Sequence, residues 1–143
     1  MKGPTTMTVF TTTDELYEVL APFYQSLTTA PEIGPKFVKA NTSFRINHTG
    51  PDGTFLLDAT QDPAVLTVGE AALAGTPAVD LTMSCDDAHK FWLGKLNLPV
   101  ALATRKIKVT GGVTQLMGIM PALGPAYAKY TEYLTSVGRS TQV

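Results

Sequence analysis

The sequence predicts an α+β domain: a five-stranded, mostly antiparallel sheet covered on one face by helices. Three observations carry this. Apolar residues recur at every second position between residues 43 and 84, and again at Ile107 and Val109, the period of strands with one buried face. Apolar stripes spaced every three or four residues flank that region at 16–27 and 123–137, the period of helices. Clusters of Gly, Pro, Asp and Thr separate the runs at loop-length intervals.

Taken in order, residues 1–11 are expected as a flexible leader and 12–143 as a single domain. Thr12 and Glu15 have the spacing of a capping box. The helix it opens carries Leu16, Val19, Leu20, Phe23 and Leu27 on one face, with Pro22 removing one hydrogen bond. A short helix is expected over 31–40, with Ile33, Phe37 and Val38 inward. Phe44, Ile46 and His48 then alternate with Arg45 and Asn47. Thr49, Gly50, Pro51, Asp52 and Gly53 turn the chain into a second strand, giving a hairpin. A third strand over 65–69 and a fourth carrying Val79, Leu81 and Met83 are expected to extend it as a meander. Ser84 or Asp86 caps a helix through Phe91 and Trp92 that Gly94 closes. A short helix after Pro99 precedes the fifth strand, where Lys106 and Lys108 alternate with Ile107 and Val109. Gly111 and Gly112 turn that strand into an almost uncharged helix with Leu116, Met117, Ile119, Met120 and Leu123. A terminal helix with Tyr127, Tyr130, Leu134 and Val137 on one stripe ends the chain.

Composition narrows the function. A chain of 143 residues can bury a core without metal or disulfides. With 11 basic and 12 acidic side chains and no run of cations, nucleic acid is not an expected partner. The single cysteine, Cys85, excludes an internal disulfide and fits a reducing compartment. No signal peptide, spanning segment or peroxisomal address is read, so the expected location is cytoplasmic.

The segment 78–84, with Asp86, Asp87, Phe91 and then Gly94, Lys95 and Leu96, resembles the sterol carrier protein type-2 (SCP-2) family. So does Ala101 through Lys106, Ile107, Lys108, Val109, Thr110 and Gly111 into a Leu/Met-rich helix. The resemblance spans about residues 40–123. It implies a five-stranded sheet packed by helices around an apolar tunnel. It also implies non-covalent binding of sterols, fatty acids, acyl-CoA esters or phospholipids. Two departures stand out. Arg105 replaces a glycine usual in that family, which would narrow or charge one mouth. The tail after Leu123 is longer than the minimal module, placing Tyr127, Tyr130 and Leu134 to cover or fill the opening.

Expected ligand-facing residues are Phe91, Trp92, Leu96, Leu102, Leu116, Met117, Met120 and Leu123. The plain alternative is ordinary core, since apolar stripes are how helices pack. Methionines 83, 117 and 120 add adaptable surface. The helix after Gly112 has too few polar positions for a two-layer protein unless apolar material lies on both sides. Head-group candidates are the amides of Gly111 and Gly112 with Arg105, Lys106 or Lys108 nearby. The plain alternative there is a strand-to-helix turn.

Cys85 and His89 are the one pairing that suggests a nucleophile. The expectation is instead a buried thiol and an exposed helix histidine, with no catalytic residue. His48 is expected as a hydrogen-bonded sheet histidine, and two distant histidines make no metal site. No cofactor is implied. The expected function is non-catalytic binding and transfer of a hydrophobic small molecule, with the terminal helix hinging at Pro121 and Pro125. The alternatives are an accessory module docking an acyl-processing enzyme, and a cofactor-free hydrolase or isomerase using Cys85/His89 or Asp80. Transient contact with a membrane or an enzyme is compatible with the first reading.

Overall fold

A computed structural model describes residues 9–141. Residues 1–8 of the expected leader lie outside the described residues, but the last part of that leader is held. Phe10 is 1% exposed and packs in the core, and the Val9 amide donates to Asp86 Oδ1 at 2.8 Å. Sequence periodicity missed Phe10 because one apolar residue in a threonine run has no period.

Helix α1 (Thr13–Thr29) begins where Thr12 Oγ1 accepts from the Glu15 amide at 3.0 Å. Glu15 reaches back to the Thr11 amide rather than to Thr12, at 2.6 Å. The helix runs through Pro22 and buries Leu16, Val19, Leu20, Phe23, Tyr24 and Leu27. A shorter helix, α2 (Gly34–Ala40), follows and buries Phe37.

Strands β1 (Ser43–Thr49), β2 (Gly53–Asp58) and β3 (Val65–Val68) form the expected antiparallel ladder. The meander stops there. Strand β4 (Val79–Ser84) pairs parallel with β1, and β5 (Ile107–Gly111) lies antiparallel beyond it, giving the order β3-β2-β1-β4-β5. Three of the four pairings are antiparallel, so the sheet is mixed. The β3–β4 connection reverses the order by crossing the outer face as a one-turn helix, α3 (Glu70–Leu73). Arg45 anchors it: Nη1 donates to the carbonyls of Leu73 at 2.9 Å and Gly75 at 3.0 Å, while Nη2 pairs with Asp80 at 2.8 Å. Arg45 and Asp80 are opposed across the parallel β1/β4 pair. One residue thus ties the crossover to the strands it separates.

The inner face carries the apolar half of each alternation. The register opposes Ile46 to Phe55 and Leu81, and Leu81 to Val109. Helices α4 (Cys85–Trp92), α5 (Leu98–Ala103), α6 (Val113–Ile119) and α7 (Gly124–Ser136) pack with α1 and α2 to complete the fold, with a 3₁₀ turn (Met120–Leu123) between the last two. Ser84 caps α4 by accepting from the Asp87 amide at 3.0 Å, and Gly94 at φ +77° ends it. Among the described residues no helix is long and apolar enough to cross a membrane.

Candidate functional site

Between the sheet and the helices lies a cavity. Its atom-free space, counted out through its open mouth into solvent, is about 780 Å³. A water's share of liquid volume is about 30 Å³, so this is much more than a packing defect. The floor is the inner sheet face: Phe44 and Ile46 from β1, Phe55 and Leu57 from β2, Leu66 from β3, Leu81 and Met83 from β4, and Ile107 from β5. Tyr24 and Leu27 of α1 and Phe37 of α2 form one side. Phe91 and Trp92 of α4 and Leu98 of α5 form another, and Leu116, Ile119, Met120 and Leu123 close the last.

Five of the eight residues singled out as ligand-facing therefore line this space: Phe91, Trp92, Leu116, Met120 and Leu123. Leu96 and Leu102 do not; they pack half-buried against the core around α5. Met117 does not either, and is 40% exposed. The reason is helical phase. Leu116, Ile119, Met120 and Leu123 follow the i, i+3, i+4, i+7 stripe, and Met117 falls one step outside it. Ile119 and the sheet floor apart from Met83 were not singled out, although the alternation of Ile46, Leu57 and Leu81 was there to be read as a surface as well as a core.

The head-group candidates are placed otherwise. Gly111, at φ +87°, holds a conformation that suits glycine, and a Cβ there would collide with the Ala78 carbonyl oxygen. The Gly112 amide donates to that same carbonyl at 3.2 Å, so it is committed within the protein. The pair makes a strand-to-helix turn. Arg105 is exposed, lines no part of the cavity and sits at φ +63°. That left-handed backbone explains why a glycine suits the position.

The few polar groups near the cavity bond to one another. Trp92 Nε1 donates to Tyr24 Oη at 3.2 Å, and Tyr24 Oη lies 3.1 Å from His48 Nε2. Burial pushes the Tyr24 phenol well above its ordinary value. His48 corrects the expectation of a fully bonded sheet histidine: its Nδ1 is buried with no partner. Desolvation lowers its pKa to about 4. Three donors (indole N–H, phenol O–H and one imidazole N–H) serve only two hydrogen bonds, so one proton in the cluster has no acceptor.

Cys85 and His89 do not form a nucleophile pair. The Cys85 thiol donates to the Pro51 carbonyl at 3.3 Å, and burial with the nearby Asp86 and Asp52 carboxylates pushes its pKa up to about 12. A thiol in that state is a poor source of thiolate. His89 is buried at 6% exposure rather than exposed, and its Nδ1 meets Tyr130 Oη at 2.8 Å. Asp80 lies on the outer face, bound by Arg45 and by Asn47 Nδ2 at 2.6 Å, which hold its carboxyl below the usual carboxylate range. It has no access to the cavity.

The tail corrects another expectation. Tyr130 is fully buried against Phe23, with ring centroids 4.8 Å apart, and lines no part of the cavity. Tyr133 Oη donates to the Val19 carbonyl at 2.6 Å, and Arg139 pairs with Glu15 at 2.7 Å. These contacts fasten α7 and the residues just after it to α1 and α4.

Comparisons with known proteins agree with this fold. The chain is similar to sterol carrier protein 2 from Yarrowia lipolytica in its apo form, with 24% identity over 80% of this chain and 91% of that one, at a TM-score of 0.59. It is also similar to the sterol carrier protein domain 2 of Helicoverpa armigera, with 18% identity over 90% and 95% of the two chains and a TM-score of 0.64. The same fold makes up 14% of the chain of a sec-alkylsulfatase from Pseudomonas sp., which covers 62% of this chain at 18% identity and a TM-score of 0.52. A search by sequence among curated proteins finds no match. Residues 23–124 match the SCP-2 sterol transfer family. Every residue lining the cavity falls inside that span and all of α7 after Gly124 falls outside it, and the chain belongs to the SCP-2 sterol transfer family.

Proposed function

We propose that the protein binds one apolar chain, of fatty-acyl class, in this cavity and transfers it without making or breaking a bond. The observation that carries the reading is the almost entirely apolar lining of a cavity laid over the inner sheet face, where the polar tips of Tyr24 and Trp92 bond to each other. At about 30 Å³ per heavy atom, its space admits at most roughly two dozen ligand atoms. Burying a methylene yields about 0.8 kcal/mol, so a dozen contribute on the order of 10 kcal/mol. Association costs at least about 4 kcal/mol, leaving a net of about 6 kcal/mol and binding of tens of micromolar. Each further methylene tightens binding about fourfold until the space is full. With no polar group inviting a particular head, chain length sets selectivity.

The ligand-facing residues in this reading are Phe91, Trp92, Leu116, Met120 and Leu123 with the sheet floor beneath them. Entry is by movement of α6 and its 3₁₀ turn, since α7 is fastened. The buried free thiol of Cys85 suits a reducing, cytoplasmic setting.

Native mass spectrometry of protein purified from cells tests this alongside Met120→Trp, which places an indole in the cavity. The expected result is a lipid-mass adduct on the native protein and none on the variant, with equal unfolding midpoints. An undiminished adduct on the folded variant would show that the ligand sits elsewhere.

A further inference from the structure

Helix α4 gives the cavity wall two rings, Phe91 and Trp92, and they are held differently. Trp92 is gripped on several sides. Phe23 lies 5.2 Å away between ring centroids and Tyr24 5.8 Å, and the indole N–H donates to Tyr24 Oη. Among the described residues Phe91 meets two rings, Trp92 at 4.8 Å and Tyr127 of α7 at 5.9 Å, each edge to face.

Tyr127 also covers the end of α4, since a Cβ on Gly94 would touch its ring at 3.8 Å. It lines no part of the cavity and is itself only half-buried. The order outward is thus cavity, Phe91, Tyr127, solvent. The family match ends at residue 124, so Phe91 lies within it and the ring behind Phe91 does not. A side chain beside a void relaxes partly into it, so a wall ring keeps its place only while the space behind it is filled.

We propose that Tyr127 sets the longest chain the cavity takes, by holding the Phe91 ring against the bound ligand. It is a positioning residue that acts through Phe91 and touches no ligand itself. The proposal rests on the acyl-binding reading above and adds to it the wall at which the chain stops. With Tyr127 truncated, the Phe91 ring turns toward the vacated space and frees room for about two further methylenes, at roughly 30 Å³ each. Helix α7 stays fastened through Tyr130 and Tyr133 and, just beyond it, Arg139.

The test is displacement of a bound fluorescent polyene fatty acid from the whole protein by saturated acids from octanoate to behenate. For the native protein, affinity should rise about fourfold per methylene and stop rising at a limiting length. Tyr127→Ala should move that limit to longer chains, so that an acid two carbons past the native limit binds the variant about 15-fold more tightly than it binds the native protein. Tyr127→Leu, a gentler truncation, should move the limit the same way, as should Phe91→Ala. Tyr127→Phe keeps the ring and should keep the native limit. A limit left unmoved by the truncations, a uniform weakening at every length, or a moved limit in Tyr127→Phe would overturn the proposal. Native protein whose affinity is indifferent to chain length would overturn the acyl-binding reading itself, and this proposal with it.

Discussion

His48 makes the protein sensitive to mild acid. Its ring is 2% exposed and its Nδ1 has no partner, so the imidazole is neutral in the folded state, with a pKa lowered to about 4 from the ordinary 6.5. In the unfolded chain it titrates near 6.5. Between those values the unfolded state binds more protons, so stability falls as pH falls. The loss begins near pH 6.5, reaches about 2 kcal/mol by pH 5 and levels off near 3 kcal/mol below pH 4. Above pH 7 the group contributes no slope. His48→Phe removes the titration, at the cost of leaving the Tyr24 hydroxyl one partner short. Urea unfolding at pH 7.5, 6, 5 and 4.5 measures the effect as the difference in pH slope between the two proteins, which other titrating groups leave untouched. The native protein should lose about 2 kcal/mol more than the variant between pH 7.5 and 5. Parallel pH profiles would refute the reasoning and mean that His48 is charged or solvated in the folded state.

Two further expectations concern the frame around the cavity. Arg105→Gly relieves a left-handed backbone at φ +63° and should raise stability by about 1 kcal/mol, read as a shifted urea midpoint with an unchanged m-value. A lowered midpoint would mean that the arginine side chain outweighs its backbone strain. Arg45→Ala leaves Asp80 without its guanidinium partner and the last carbonyls of α3 uncapped, and should cost about 1–3 kcal/mol by the same measurement. An unchanged midpoint would show that α3 holds its place without that clip.

Local signals in the sequence specified the elements well. The Thr12 cap, the Ser84 cap, Gly94 at φ +77° and the alternation of Ile107 and Val109 each appear as read, because each is set within a few residues. Partner choice was not legible. A period of two says that β4 has a buried face but not which strand it lies beside, and the Arg45–Asp80 pair that marks the parallel neighbour is 35 residues apart. Burial of His89 was hidden for a similar reason. Its partner Tyr130 comes from α7, 41 residues later, and nothing near His89 announces it. The cavity was half legible. The helix stripe and Met83 pointed to it, yet Met117 was included because counting methionines ignores phase, and the rest of the sheet floor was taken for core because an alternating strand looks the same whether it faces side chains or space.

If an acyl chain occupies this cavity it must lie against Trp92, the chain's single tryptophan, which stands in the wall. Quenching of Trp92 fluorescence by brominated fatty acids, from octanoate to stearate, tests it most directly. Acyl binding in the cavity should give saturable quenching whose midpoint tightens about fourfold per added methylene until the space is full and is competed by the unbrominated acid. Quenching that is linear and indifferent to chain length would contradict it.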